Sequence, residues 1–125
     1  MDKIENNCVN KNILNWYPFE QNATALEIGG VSLEVTDLLC QKLKRVVKIV
    51  EKDSKKEESL CKNLEILEGN IKEIKLEEKF DYIILIGSLP YVSKELECKS
   101  EEFLALLDDL LKDDGKLIIA VDNKF

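Results

Sequence analysis

Five short runs rich in aliphatic and β-branched residues set the limits on what this chain can fold into: Ala23 to Ile28, Val46 to Val50, Leu64 to Glu68, Phe80 to Ile86 and Leu117 to Val121. Most are too continuous to have one face in water. Runs of this kind belong to parallel strands covered on both sides. The segments between them differ in character. Val31 to Leu43 carries apolar residues at 31, 35, 38, 39 and 43, close to the spacing of a helix that buries one face. Lys52 to Asn63 reads as a short charged crossover with a small helix, Leu60 and Cys61 pointing inward. Ser100 reads as an N-cap, with Glu101 and Glu102 in the positive first turn. The helix it starts carries Phe103, Leu104, Leu106, Leu107, Leu110 and Leu111, and Gly115 reads as its left-handed cap. Strand and helix thus alternate along the chain, which predicts an α/β layered domain around a mostly parallel sheet.

Parallel sheets of this kind bind ligands beyond the carboxyl ends of their strands. The first such end is Ala25-Leu26-Glu27-Ile28-Gly29-Gly30-Val31-Ser32-Leu33, where an apolar run closes on an acid, two glycines and a helix start. A glycine there permits positive φ and brings the backbone against a ligand. The later ends supply Glu51, Asn70, and the pair Gly87 and Ser88, which reads as the stop of the fourth strand. Glu51 follows the first glycine by about 20 residues, where a carboxylate can accept hydrogen bonds from both hydroxyls of a ribose.

Composition narrows the chemistry. The chain has 125 residues, which suits one domain over 1–125, with 1–20 as a lead-in and 21–125 as the core. Its net charge of −7 disfavours nucleic acid and anionic membranes as partners. There is no histidine, so the usual general base and every Ser-His or Cys-His pairing are missing. The four cysteines, at 8, 40, 61 and 98, contain no C-x-x-C pair, so no metal site is expected. Cys40 and Cys61 read as buried small hydrophobes. No signal-peptide pattern opens the chain and no apolar run approaches the ~20 residues of a membrane span, which points to the cytoplasm. Residues 1–10 are polar and read as a mobile lead-in, and Trp16 reads as a packing anchor beside Ile13, Leu14 and Tyr17.

Taken together, Leu26 to Gly30, Val47 to Asp53, Asn63 to Asn70, Phe80 to Gly87 and Leu111 to Ala120 resemble the successive motifs of class I S-adenosylmethionine-dependent methyltransferases. The resemblance covers residues 20–122. It implies a Rossmann-like, mostly parallel sheet of strand order 3-2-1-4-5 with helices on both faces, and S-adenosylmethionine as cofactor. It also implies residue roles. Glu27 organises the first turn and the methionine end of the cofactor, and Gly29 and Gly30 form that turn. Glu51 holds the ribose hydroxyls and Lys52 flanks the adenine. Asn70 meets the adenine edge and Ile71 packs on its face. Gly87 and Ser88 line the methionine moiety, and Tyr91 faces the acceptor side. The methyl acceptor and the catalytic base stay unassigned.

The sequence departs from the family pattern in two places. Val31 and Leu33 stand where the turn usually has its second and third glycines. A β-branched residue is poor at positive φ and adds bulk where a cofactor would lie. A methyltransferase-like binding or scaffolding module without catalysis is therefore the alternative reading. A nicotinamide dinucleotide domain would share Glu51, but Glu27 would repel its pyrophosphate. The chain also stops after the fifth strand, whereas the family usually continues with two more. This predicts an exposed fifth-strand edge that self-associates, or a fragment of a longer protein.

Overall fold

In chain order the elements are β1 (Asn7–Asn10), β2 (Thr24–Ile28), α1 (Leu33–Lys42), β3 (Arg45–Val50), β4 (Leu64–Glu68), β5 (Phe80–Ser88), α2 (Ser100–Leu110) and β6 (Leu111–Asp122). The computed structural model describes residues 7–10, 16–29, 33–50, 61–69, 74–88 and 100–122, with backbone alone at 7–10, 33–34, 86–88, 100–104 and 120–122. The six strands form one sheet in the order β1-β6-β5-β2-β3-β4, and every neighbouring pair is parallel. The five strands read from the sequence therefore take the expected 3-2-1-4-5 order.

Successive strand residues feed opposite faces of the sheet, so each strand contributes to two cores. On one face Ala25, Val46, Tyr82, Ile84 and Ile118 pack with Val35, Leu39, Cys40 and Leu43 from α1 and its end. On the other Leu26, Val47, Ile49, Ile83, Leu85, Leu117 and Ile119 pack with Leu107 and Leu110 of α2. Helices thus cover both faces, which is why these strands tolerate so few polar residues.

Several local expectations are corrected. Residues 7–10 form β1, which pairs with Ile118 to Val121 of β6. The edge of β6 is therefore occupied along its most apolar stretch, and β1 is the outer strand on that side of the sheet. Trp16 is 85% exposed and anchors nothing among the described residues. Around Pro18 the chain makes a tight turn, in which the Phe19 N–H donates to the Tyr17 carbonyl at 2.9 Å, and Tyr17 and Phe19 are half-buried. The Tyr17 and Phe19 rings lie 4.7 Å apart and tilted by 46°, and Phe19 meets Tyr82 edge-on at 5.0 Å. The Glu20 N–H donates to the Tyr82 hydroxyl at 3.2 Å. Cys61 lies in the turn before β4 and is half-buried, rather than sitting on a helix. Gly87 and Ser88 continue β5, pairing with Val121 and Asp122, rather than ending it.

Gly115 is the remaining correction. It lies inside β6 and is not among the positive-φ glycines, which among the described residues are Gly29 and Gly69. Leu111 pairs with Phe80 and Lys116 with Tyr82, so the chain makes an excursion over 112–115 before the ladder resumes. Gly115 is needed there for close approach. A Cβ would lie 2.9 Å from the Lys112 carbonyl oxygen, 3.0 Å from that of Phe80 and 2.9 Å from Leu111 Cδ2. Two of these are backbone atoms that cannot rotate away. Gly115→Ala is expected to lower stability by about 1–3 kcal/mol, read as a lower urea midpoint at unchanged m-value.

The amino ends of β2 and β5 are tied by Asp81. Its Oδ2 accepts from the Thr24 N–H at 2.9 Å, from Thr24 Oγ1 at 3.3 Å and from Lys112 Nζ at 3.2 Å. Burial alone would push this carboxyl up, but the Thr24 and Lys112 bonds outweigh it and hold the group below its usual range. This perturbed acid sits at the end of the sheet opposite the ligand-binding ends, so it serves the fold.

Candidate cofactor site

Because every strand is parallel, Ile28, Val50, Glu68 and Ser88 all end on one side of the sheet. From β2 the chain winds to β3 and β4 on one flank, then returns to β5 on the other. The switch point therefore falls between β2 and β5, and sheets of this kind take their ligands in the crevice at that point. Ile28 is in register with Leu85, so Gly29 follows β2 beside the last stretch of β5 that holds Gly87 and Ser88.

Gly29 has φ 93°, a conformation that side chains rarely adopt. The expected glycine turn is therefore present at its first position. Leu33 is the first residue of α1. It stands on helical backbone, so the glycine usually found there is not needed for positive φ. Gly30 and Val31, together with Glu51, Lys52, Asn70, Ile71 and Tyr91, lie outside the described residues.

Glu27 is placed differently from a simple ligand contact. It is fully buried, on the α1 face of the sheet. Its Oε1 accepts from Thr36 Oγ1 at 2.7 Å and its Oε2 from Lys48 Nζ at 2.6 Å. Lys48 Nζ also donates to Thr36 Oγ1 at 2.8 Å. Lys48 is 2% exposed and directly opposite Glu27 in the β2–β3 register. No buried side-chain nitrogen or oxygen is left unsatisfied among the described residues. The triad joins β2, α1 and β3, so it braces both sides of the turn at Gly29 from behind. The carboxylate and the ammonium compensate one another in this buried site.

Lys48 and Thr36 are the residues that sequence reasoning missed. The signal was available in Val46-Val47-Lys48-Ile49-Val50. A lone lysine within a strand buried on both faces requires an anionic partner. Glu27, the one acid inside β2 and directly opposite Lys48 in register, meets that need. Among the described residues no group of His, Cys, Asp and Glu is arranged to hold a metal ion. Among them, too, no helix is long and apolar enough to cross a membrane.

No family model and no curated protein matches the sequence. Solved structures do match in shape. Coclaurine N-methyltransferase bound to N-methylheliamine and SAH superposes with TM-score 0.67 and 20% identity, over 86% of this chain and 34% of that one. Haemonchus contortus phosphoethanolamine N-methyltransferase 1, in complex with phosphoethanolamine and S-adenosylhomocysteine, gives 0.66 and 20%, over 86% and 24%. The precorrin-8W decarboxylase of Methanobacterium thermoautotrophicum gives 0.55 and 18%, over 80% and 54%. This is the Rossmann-like methyltransferase fold. The chain spans about a quarter to a half of the length of these relatives. Identities this low carry the likeness no further than the fold.

Proposed function

We propose that this chain is the cofactor-binding core of an S-adenosylmethionine-dependent methyltransferase, folded as a single domain over residues 1–125. The observation that carries the reading is Gly29 at φ 93°, at the carboxyl end of β2 and beside β5, in the switch-point crevice of a parallel sheet. Such a turn offers bare backbone to a ligand. The residues fit the cofactor: a small turn, Gly87 and Ser88 on the adjoining strand, and a brace of Glu27, Thr36 and Lys48 that fixes the turn without adding net charge. When bound, the cofactor supplies an electrophilic methyl group on sulfonium, so a protein without histidine needs to orient rather than to activate.

The further assignments follow the sequence pattern. Gly30 completes the turn, Glu51 takes the ribose hydroxyls, and Lys52 flanks the adenine. Asn70 meets the adenine edge and Ile71 its face. Gly87 and Ser88 line the methionine moiety. Glu27 acts on the methionine end through the turn it braces. The net charge of −7 speaks against a nucleic-acid acceptor. The unbridged thiols Cys40 and Cys61 favour a reducing compartment, the cytoplasm.

Isothermal titration with S-adenosylhomocysteine tests the reading. Saturable heat at one ligand per chain is expected, and it is expected to vanish in Gly29→Val while the far-UV circular dichroism is retained. A flat titration with the parent chain at ligand concentrations on the order of 1 mM, where even weak sites fill, would overturn it.

A further inference from the structure

Glu27 is the one acid of β2, and Gly29 follows two residues later, about 7 Å along extended backbone. A carboxylate so near the turn is the natural counterion for a ligand's ammonium. Here its partners are built in. Glu27 and Thr36 are fully buried and Lys48 is 2% exposed. The Thr36 hydroxyl donates to Glu27 Oε1 at 2.7 Å and accepts from Lys48 Nζ at 2.8 Å. Lys48 Nζ also donates to Glu27 Oε2 at 2.6 Å. The three groups close a ring in which both carboxylate oxygens are engaged.

We infer that Lys48 is a specificity-determining residue. It serves Glu27 as a permanent counterion, so the crevice selects its cofactor by the nucleoside and the sulfur and is indifferent to the ammonium at the methionine end. The inference rests on the reading of the crevice as an S-adenosylmethionine site. It adds which part of that cofactor the chain recognises. Lys48 acts through Glu27 and the turn, without touching the ligand.

Two routes could bring a ligand's ammonium to Glu27, and both are unfavourable. Displacing Lys48 would leave its charge buried without a partner, a cost that exceeds the return from one new hydrogen bond. Adding a second ammonium beside Lys48 would set two like charges on one carboxylate in a poorly screened interior, and their repulsion offsets the attraction. Register holds Lys48 where it is, directly opposite Glu27 in the β2–β3 ladder, so a shift of one side chain cannot vacate the place. The ligand class that follows is the 5′-thioadenosines, with or without an amino group on the sulfur substituent. A site with an open carboxylate behaves otherwise, since a charge-assisted hydrogen bond to the ammonium favours the amino compound by about ten- to a hundredfold.

The test is calorimetric titration of the full chain with two probes: S-adenosylhomocysteine, and its analogue in which hydrogen replaces the α-amino group. Dissociation constants within about threefold of one another are expected, well short of the gap that an ammonium–carboxylate bond opens. A larger loss with the analogue would overturn the inference and leave the S-adenosylmethionine reading intact, whereas no heat from either probe would overturn that reading itself. Lys48→Gln supplies the second measurement. Glutamine can still donate to Glu27 but brings no charge, so the ligand's ammonium becomes the available counterion. The preference for S-adenosylhomocysteine over the analogue is expected to rise about tenfold or more, a ratio that a purely structural role for Lys48 would not move. An unchanged ratio in folded Lys48→Gln would remove Lys48 from the assignment. The parent comparison needs no variant, so it decides the matter even where Lys48→Gln does not fold.

Discussion

Lys48→Met is expected to lower the unfolding free energy by about 3–5 kcal/mol, the range for removing one member of a buried ion pair. Domains of this size are commonly stable by about 5–15 kcal/mol, so the variant would sit near the edge of folding at room temperature. The reason lies in what is left behind. Methionine matches the volume of lysine but donates nothing. The Glu27 carboxylate would stay fully buried, with the Thr36 hydroxyl as its remaining donor among the described side chains. The comparison that separates stability from function is the triple variant Glu27→Leu, Thr36→Val, Lys48→Met. An apolar replacement of the whole triad is expected to recover most of the lost stability, since the desolvation cost of the ions disappears with them. Affinity for S-adenosylhomocysteine is not expected to return, because the polar link from β2 to α1 across the Gly29 turn is gone. Urea denaturation reads the first quantity and titration calorimetry the second. Recovery of both together would show that the triad only holds the fold.

The sheet was legible because its strands are nearly uninterrupted apolar runs. Leu64–Glu68 emerges with the bounds the sequence suggests, and Arg45–Val50 differs by one residue at its start. Such runs have one good fate in a chain of alternating strands and helices, and the 3-2-1-4-5 order follows from short right-handed connections. What stayed hidden depends on contacts distant in sequence. Asn7-Cys8-Val9-Asn10 has no strand-like pattern of its own, and its strand exists because β6 offers an unpaired edge. Trp16 looked like an anchor by size. The tight turn at Pro18 instead brings Tyr17 and Phe19 against Tyr82, a contact distant in sequence.

The turn itself shows both sides of this. Gly29 was readable, because a glycine after an apolar strand and before a helix has few other uses, and it does take positive φ. Leu33 lies within α1, so its backbone needs no positive φ. The brace behind the turn went unseen for a different reason. The motif reads Glu27 as organising the first turn and the methionine end of the cofactor, and burial and register add Lys48 as its partner. A motif names a position; the residues packed around it decide what its side chain can reach.

Phe80→Ala is the second change with a large expected effect, about 3–5 kcal/mol, the range for deleting a buried aromatic side chain. Phe80 is fully buried and is the largest side chain in the core on the α2 face, which includes Leu107, Leu110, Leu111 and Leu117. It also opens β5 and pairs with Leu111, the residue at which α2 gives way to β6. Deleting the ring would leave a cavity under that junction, and the excursion over 112–115 would lose its floor. The site lies far from this damage. Eight residues of strand separate Phe80 from Ser88, about 26 Å at the usual rise per residue. Stability and binding should therefore part company in the opposite sense from Lys48→Met. In conditions where Phe80→Ala remains folded, its affinity for S-adenosylhomocysteine is expected to equal that of the parent, although its urea midpoint falls steeply. A matched loss of affinity would mean that the crevice between β2 and β5 is coupled to the whole length of β5, and that the turn at Gly29 is not held by its local brace alone.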